Sequence, residues 1–121
     1  MNKIVVMFLM LLVVSSPLDK FKNKFYSLID TVAVKSEIIL FEKEVTQLDE
    51  TTIVIYPKAI WILAEKDAQN HNMMNIVKMW ADCNKGVSPV IVLASFGGEI
   101  THRMAYFSED LIIIPPERHK I

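Results

Sequence analysis

The residues of this chain that could do acid–base or metal chemistry are few and widely spaced. Its three histidines are His71, His102 and His119, and none has a partner at the H-x-x-x-H or C-x-x-C spacing of a metal site. Cys83 is the single cysteine, so it cannot form an intrachain disulfide or supply a zinc site alone. We therefore predict no catalytic residue, no metal and no cofactor.

Two further patterns could support chemistry, and both favour a structural interpretation. A thiolate at Cys83 would need a nearby base, and the residue falls near the C-terminus of a predicted helix, the dipole end that disfavours a thiolate. A Cys83–His102 pair is possible in space, but nothing in the sequence indicates it. Gly97-Gly98 follows an apolar run but lacks the spacing of a phosphate-binding loop, so we predict a hairpin turn there.

Composition narrows the class of protein. A chain of 121 residues fits one domain, and its net charge of -1 argues against a nucleic-acid partner. The hydrophobic fraction of 52% is slightly above the usual soluble range, and the excess is concentrated at the start, in residues 4–14. Nothing in the pattern identifies a small-molecule substrate.

The N-terminal run from Ile4 to Val14 contains no polar residue. Its length suits the apolar region of a signal peptide. As a helix it would span about 17 Å, and a helix from Met1 to Leu18 would span about 27 Å, close to the bilayer core of roughly 30 Å. The predicted anchor residues are Ile4, Val5, Val6, Phe8, Leu9, Leu11, Leu12, Val13 and Val14.

The flanks of this run favour an anchor that stays in place. The stretch Val13-Val14-Ser15-Ser16-Pro17 matches a cleavage site poorly. Lys20, Lys22 and Lys24 then make the C-terminal flank more basic than the N-terminal one, which predicts that the bulk of the chain stays on the cytoplasmic side. We predict an uncleaved transmembrane signal-anchor at residues 1–18. A cleaved signal peptide and a buried N-terminal strand are the alternatives.

An amphipathic helix is predicted directly after the anchor, over residues 19–36. Phe21, Phe25, Leu28 and Val32 recur at spacings of three and four. One interpretation is a juxtamembrane helix that continues from the span, with its lysines against anionic lipid. The other is a core-packed first helix with a solvated lysine face.

The rest of the chain predicts a sheet and one long helix. We expect strands at Glu37–Val45 and Thr51–Tyr56, the second ended by Pro57. Ala59–Ala64 could be a strand or the start of a helix. A helix is predicted over Ala68–Asn84, capped by Asp67 and followed by Gly86, with a buried stripe of Met73, Ile76, Val77, Trp80 and Ala81.

Three more strands complete the predicted domain: "PVIVLAS" from Pro89, "EITHRMAYF" after Gly98, and "LIIIPP". The fold class is thus α+β, with a mostly antiparallel sheet packed by one main helix in residues 37–116 and a tail at 117–121. If one sheet face stays uncovered, its aromatic residues would form a protein-binding surface. The candidates are Tyr56, Trp61, Trp80, Phe96, Tyr106 and Phe107.

The N-terminal stretch "VVMFLMLLVVSSPLDKFKNK" resembles the sorting segment on envelope proteins of baculovirus occlusion-derived virions. The per os infectivity factor six family is similar in size and layout, with one N-terminal span and one small domain. This resemblance covers residues 4–24 and carries no functional residue over. It implies an envelope subunit of a multiprotein entry complex for oral infection.

The residues and the resemblance together predict a single-pass membrane protein whose domain binds other membrane or envelope proteins. It would be a structural or interaction subunit rather than an enzyme, with the lipid bilayer as its second partner. The competing hypothesis is a small secreted or periplasmic enzyme or ligand-binding domain made with a cleaved signal peptide. A bacterial secretion or pilus subunit is a third possibility that shares the anchor.

Overall fold

The computed structural model describes residues 16–107 and 110–114. Within them the elements follow the order α1, β1, β2, α2, α3, β3, β4, β5. Their bounds are Pro17–Ser36 (α1), Phe41–Gln47 (β1), Thr52–Pro57 (β2), Ala59–Ile62 (α2), Lys66–Cys83 (α3), Val90–Phe96 (β3), Glu99–Phe107 (β4) and Asp110–Ile114 (β5). The predicted α+β class is confirmed.

The five strands form one sheet in the order of the sequence. β1–β2, β3–β4 and β4–β5 pair antiparallel, whereas β2 and β3 are parallel because α2 and α3 carry the chain back to the same end of the sheet. A row of paired residues crosses four strands: Val45, Ile55, Ala94 and His102. The sheet is therefore mostly antiparallel, as predicted, and His102 lies on the same face as Ile55.

Two long helices cover that face of the sheet. α1 buries Phe21, Phe25 and Ile29. α3 buries four of the five predicted stripe residues, Met73, Ile76, Val77 and Trp80, which are all at most 1% exposed, and Ala81 is half-buried. Their partners on the sheet are Phe41, Val45, Ile53, Ile55, Val90, Val92, Ala94 and Met104. The prediction of one main helix is wrong, because both helices bury an apolar stripe on this face.

The start of α1 distinguishes between the two interpretations of this helix, a helix that continues from the membrane span and a first helix packed in the core. Ser16 is its N-cap: the backbone is extended, and the hydroxyl oxygen accepts a hydrogen bond from the Asp19 N–H at 3.2 Å. Pro17 follows in the first turn, where its missing N–H costs nothing. Because Ser16 is extended, the expected helix that continues from residues 1–18 is interrupted at this residue. α1 begins at Pro17 and belongs to the core, so the folded domain includes 19–36 rather than beginning at residue 37.

The first predicted strand begins four residues late. Glu37 adopts a left-handed conformation with φ 61°, and its N–H donates to the Ala33 carbonyl at 2.8 Å, which ends α1. Residues 38–40 then connect the helix to β1. The expected strand from Glu37 is wrong at its start because the C-terminal cap of α1 occupies that residue.

The ambiguous run Ala59–Ala64 contains the short helix α2. Lys58 N–H donates to the Leu40 carbonyl at 2.8 Å, which extends the pairing of β1 and β2 just beyond Pro57. One helical turn then places Trp61 in the core, with its ring centroid 5.1 Å from that of Phe41. Ile60 remains exposed and Ile62 is half-buried against the core, so Trp61 is the fully buried side chain of this turn.

The ends of α3 differ from prediction by about two residues. Glu65 occupies the N-cap position, and Asp67 lies in the first turn, where its charge still favours the helix dipole. At the other end, Asn84 is the C-cap and its amide donates to the Glu50 carbonyl at 2.8 Å. Trp80 Nε1 likewise donates to the Thr51 carbonyl at 2.9 Å. These bonds fasten the end of α3 to the β1–β2 turn.

The predicted Gly-Gly hairpin is confirmed. Gly97 and Gly98 connect β3 to β4 with φ values of 63° and 81°, and Phe96 pairs directly with Glu99. Two successive residues with positive φ match a type I′ turn, whose twist suits a two-residue hairpin.

The second face of the sheet carries its own buried apolar residues. Val54, Leu93 and Ala105 are at most 9% exposed, yet they lie outside the core that the helices form. Tyr56 and Thr46 join hydroxyl to hydroxyl at 2.6 Å on the neighbouring strands. The buried apolar residues of the three described helices pack against the first face of the sheet.

Candidate functional site

The predicted aromatic candidates divide between the core and the surface. Trp61 and Trp80 are buried in the core. Tyr56 and Tyr106 are half-buried, and Phe96 and Phe107 are each 39% exposed, close to the β3–β4 turn and the end of β4. The aromatic residues therefore do not gather into one exposed surface.

Of the two histidines that the structure describes, His102 has the more enclosed position. Its Nε2 hydrogen-bonds with Gln69 Oε1 at 3.1 Å, and its Nδ1 with Thr101 Oγ1 at 2.9 Å. Its ring lies 4.6 Å from that of Trp61, centroid to centroid. Burial lowers the pKa of His102, and the positive charge of Lys66 adds to the effect. Both ring nitrogens are engaged within the fold, so this imidazole links β4 to α2 and α3.

Gln69 is the residue that sequence reasoning missed in this network. It is 7% exposed, and its Nε2 donates to the carbonyls of Trp61 and Ile62, each at 2.9 Å. Those carbonyls lie at the end of α2, where the last carbonyls of a helix need partners from outside it. The Trp61 carbonyl also accepts a hydrogen bond from the Ala64 N–H at 3.1 Å. A glutamine in the first turns of a polar helix ordinarily indicates a solvated face. Only its neighbours in space reveal this role.

The remaining candidates for chemistry do not come together. Cys83 lies fourteen residues after Gln69 on α3, a distance of about 21 Å along the helix, so a Cys83–His102 pair is excluded. Burial raises the pKa of the Cys83 thiol. His71 is exposed and accepts a hydrogen bond from the Asn75 amide at 3.3 Å, and His119 lies outside the described residues. In the part of the chain that the structure describes, no group of three histidine, cysteine or acidic residues could hold a metal ion.

An apolar cleft lies between α1, the start of β1 and α3. Its volume is about 90 Å³. The aromatic and aliphatic lining residues are Phe25, Leu28, Ile29, Val32, Leu40, Phe41 and Ile76. Asn72 and Asn75 complete the wall on the α3 side. We refer to this feature as the apolar cleft.

The floor and the rim of the apolar cleft differ in exposure. Phe25, Phe41 and Ile76 belong to the core and are at most 5% exposed. Leu28 on the rim is 37% exposed, and Ile39 in the adjoining connection is 49% exposed. The cleft is thus a point where the core reaches the surface through large aliphatic side chains.

The amide wall of the apolar cleft is partly held in place. Asn72 Oδ1 accepts a hydrogen bond from Trp61 Nε1 at 2.9 Å. This bond uses the oxygen of the amide and does not involve the two N–H donors of its NH₂ group. Asn75 uses its NH₂ group on His71, which leaves its carbonyl oxygen as an acceptor. The two amides can therefore offer one donor group and one acceptor at the edge of an apolar surface.

The opposite end of α1 is basic. Lys20, Lys24 and Lys85 share one surface with Asp82 and Cys83, because α1 and α3 run antiparallel. Phe21 of α1 contacts Trp80 of α3 with ring centroids 5.7 Å apart, which brings the start of one helix beside the end of the other. We call this surface the lysine end. Lys22, the third predicted flanking lysine, lies about 200° around α1 from Lys20 and is not part of it.

The predicted anchor, Ile4 to Val14, lies outside the described residues. In the part of the chain that the structure describes, no helix is long and apolar enough to cross a bilayer.

No protein-family model matches this chain, and no curated protein or solved structure matches it either.

Proposed function

We propose that this protein is a membrane-anchored interaction subunit that binds partner proteins through the apolar cleft. The observation that carries the proposal is the cleft itself, an opening of the core lined by the exposed Leu28 and by the half-buried Val32 and Leu40. Large apolar groups at a rim are exposed to water in the isolated domain, which is unfavourable. They are typical of surfaces that another protein covers.

The size of the apolar cleft favours a protein side chain over a small molecule. Ligand pockets for small molecules run to roughly 300–1,000 Å³, and an apolar cavity that accepts benzene has about 150 Å³. The cleft, at about 90 Å³, is smaller than either. A single leucine or methionine from a partner is the occupant that suits this volume, with the Asn72 and Asn75 amides available to the partner's backbone.

The chemistry of the lining also supports binding rather than catalysis. A secreted enzyme would be expected to place a histidine or carboxylate with a shifted pKa in its pocket. The lining residues here are aromatic, aliphatic or amide, and His102, whose pKa is lowered, is engaged in the Gln69 network instead.

The anchor part of the proposal rests on the sequence. The apolar run of residues 4–14 ends two residues before the Ser16 cap, so the domain would follow the bilayer directly. The resemblance to the per os infectivity factor six family extends the proposal to a virion envelope, where such a subunit would join a multiprotein entry complex.

The anchor is tested by intact mass and N-terminal sequence of the natively expressed protein after an alkaline carbonate wash of the membrane fraction. We expect a chain that begins at Met1 or Asn2 and stays with the membranes. A soluble chain beginning near Ser16 would instead favour the secreted alternative.

The apolar cleft is tested by photo-crosslinking in native membranes. A photoreactive residue at Leu28 should give one defined crosslinked product, and the additional substitution Val32→Glu, at a residue that lines the cleft, should abolish it. Leu63 is 84% exposed but does not line the cleft, so the same probe there is the matched control and should give no such product. Equal crosslinking from both positions would contradict a specific docking site.

A further inference from the structure

The lysine end combines residues that are distant in sequence. Lys20 and Lys24 are one helical turn apart on α1, so their side chains lie on the same face. Lys85 joins them from beyond the end of α3. With Asp82 as the acidic residue of this surface, the lysine end carries an excess of positive charge.

Among the residues that the structure describes, none forms an ion pair with these three lysines. The ion pairs between described residues join Lys43 to Asp30 and Lys58 to Glu42, and both are on other parts of the surface. Lys20, Lys24 and Lys85 are all exposed. Their charge is therefore available to a partner of opposite sign.

The position of the lysine end relative to the apolar run restricts what that partner can be. Val14 ends the run two residues before Ser16, and two residues of chain span at most about 7 Å. A bilayer holding residues 4–14 would therefore have its headgroups next to the first turn of α1. Phosphate groups of anionic lipids attract lysines at such a position.

We infer that the lysine end rests on anionic lipid headgroups and that this contact turns the apolar cleft away from the bilayer. The inference rests on the proposed anchor and adds to it an orientation and a lipid class. Lys20 and Val32 are twelve residues apart on α1, which places the cleft about 18 Å farther along the helix. The cleft is then open to a partner, while the cations lie at the headgroups.

The test uses the full chain in nanodiscs of two compositions: phosphatidylcholine alone, and two parts phosphatidylcholine to one part phosphatidylglycerol. A membrane-impermeant acetylating reagent is added, and the reaction of each lysine is followed by mass spectrometry. Lys66 is the internal control, because it begins α3 at the end opposite to Lys85, about 27 Å away along the helix.

We expect Lys20, Lys24 and Lys85 to react about fivefold more slowly in the anionic discs than in the neutral ones, with Lys66 unchanged. High salt should remove the difference, because it screens charges at the surface. Equal rates in the two lipids, with the chain retained in both discs, would overturn the inference and leave the anchor standing. Loss of the chain from neutral discs under carbonate would overturn the anchor and this inference together.

Two charge-matched variants complete the test. Lys24→Glu with Lys85→Glu should abolish the lipid-dependent slowing at Lys20. Lys66→Glu with Lys78→Glu makes the same change in net charge on exposed residues elsewhere on α3 and should leave it in place. Loss of the slowing in both variants would assign it to net charge alone and overturn a specific lysine end.

Discussion

Gln69 of α3 receives a hydrogen bond from His102 of β4, with 3.1 Å between Oε1 and Nε2. The same amide donates through Nε2 to two carbonyls at the end of α2. One side chain thus joins a strand and two helices, and it explains how a helix as short as α2 holds Trp61 in the core.

Replacing Gln69 tests this arrangement. We expect Gln69→Leu to lower the free energy of unfolding by about 1–3 kcal/mol, because the Ile62 carbonyl and His102 Nε2 lose their Gln69 partner, whereas the Trp61 carbonyl keeps its bond from the Ala64 N–H. Urea denaturation followed by tryptophan fluorescence measures the change. His71→Ala, on an exposed face of the same helix, is the control and should change stability by less than about 0.5 kcal/mol. Similar values for both variants would show that the network is not stabilising.

The lowered pKa of His102 predicts a pH dependence of stability. At pH values above the pKa of the unfolded chain, about 6.5, both states are neutral at this residue. As the pH falls below that value, the unfolded state binds a proton that the folded state resists, so the free energy of unfolding decreases. The loss continues until the pH reaches the lower pKa of the folded state.

Comparison with His102→Gln isolates this contribution. Between pH 7.5 and pH 5, we expect the wild type to lose more stability than the variant, because the variant has no proton to take up at this position. His71→Gln leaves His102 intact and should keep the wild-type dependence. Parallel stability curves for the wild type and His102→Gln would contradict the prediction.

Phe25 and Leu28 both lie on α1 and line the apolar cleft, but Phe25 belongs to the core and Leu28 lies at the rim. Phe25 is 0% exposed and stacks against Phe21 with ring centroids 5.3 Å apart. Phe25→Ala should therefore cost about 3–5 kcal/mol. Leu28→Ala should cost less than about 1 kcal/mol, because that side chain is partly in water already. Small costs for both variants in the full-length chain would mean that α1 is not part of the core.

The hairpin between β3 and β4 offers a test of backbone conformation alone. A Cβ at Gly98 would meet no atom within 4 Å, so the cost of Gly98→Ala comes from its φ of 81°. We expect a loss of about 1–2 kcal/mol. Gly97→Asn creates the Asn-Gly pair that type I′ turns prefer and should be nearly neutral. Thermal unfolding of both variants distinguishes these outcomes, and equal losses would contradict the turn assignment.

Much of the fold could be predicted because it is encoded locally. The Met73, Ile76, Val77 and Trp80 stripe shows its period within one helix. The hairpin at Gly97-Gly98 depends on two adjacent residues that accept positive φ. The β-branched runs of β2 and β3 likewise indicate strands from their composition. In each case the physical cause acts over a few neighbouring residues.

Other features depended on contacts that the sequence does not display. The apolar spacing of α1 suited a lipid-facing helix and a core-packed helix equally well, because both bury the same residue types. Ser16 could be recognised as a cap only once the extended backbone before Pro17 was known. Likewise, Ala59–Ala64 contains a helical turn that packs the indole of Trp61 against Phe41. That contact joins residues twenty positions apart and is not visible in the local sequence.

The sequence by itself determined most of the strands, the long helices, the two-residue hairpin and the apolar run that ends at Val14. Only the tertiary structure decided which residues share a site. Lys85 lies beside Lys20, sixty-five positions earlier in the chain, and Asn72 forms a wall opposite Leu28. The physical reason is the antiparallel packing of α1 on α3, because it brings the start of each helix to the end of the other and creates both surfaces at once.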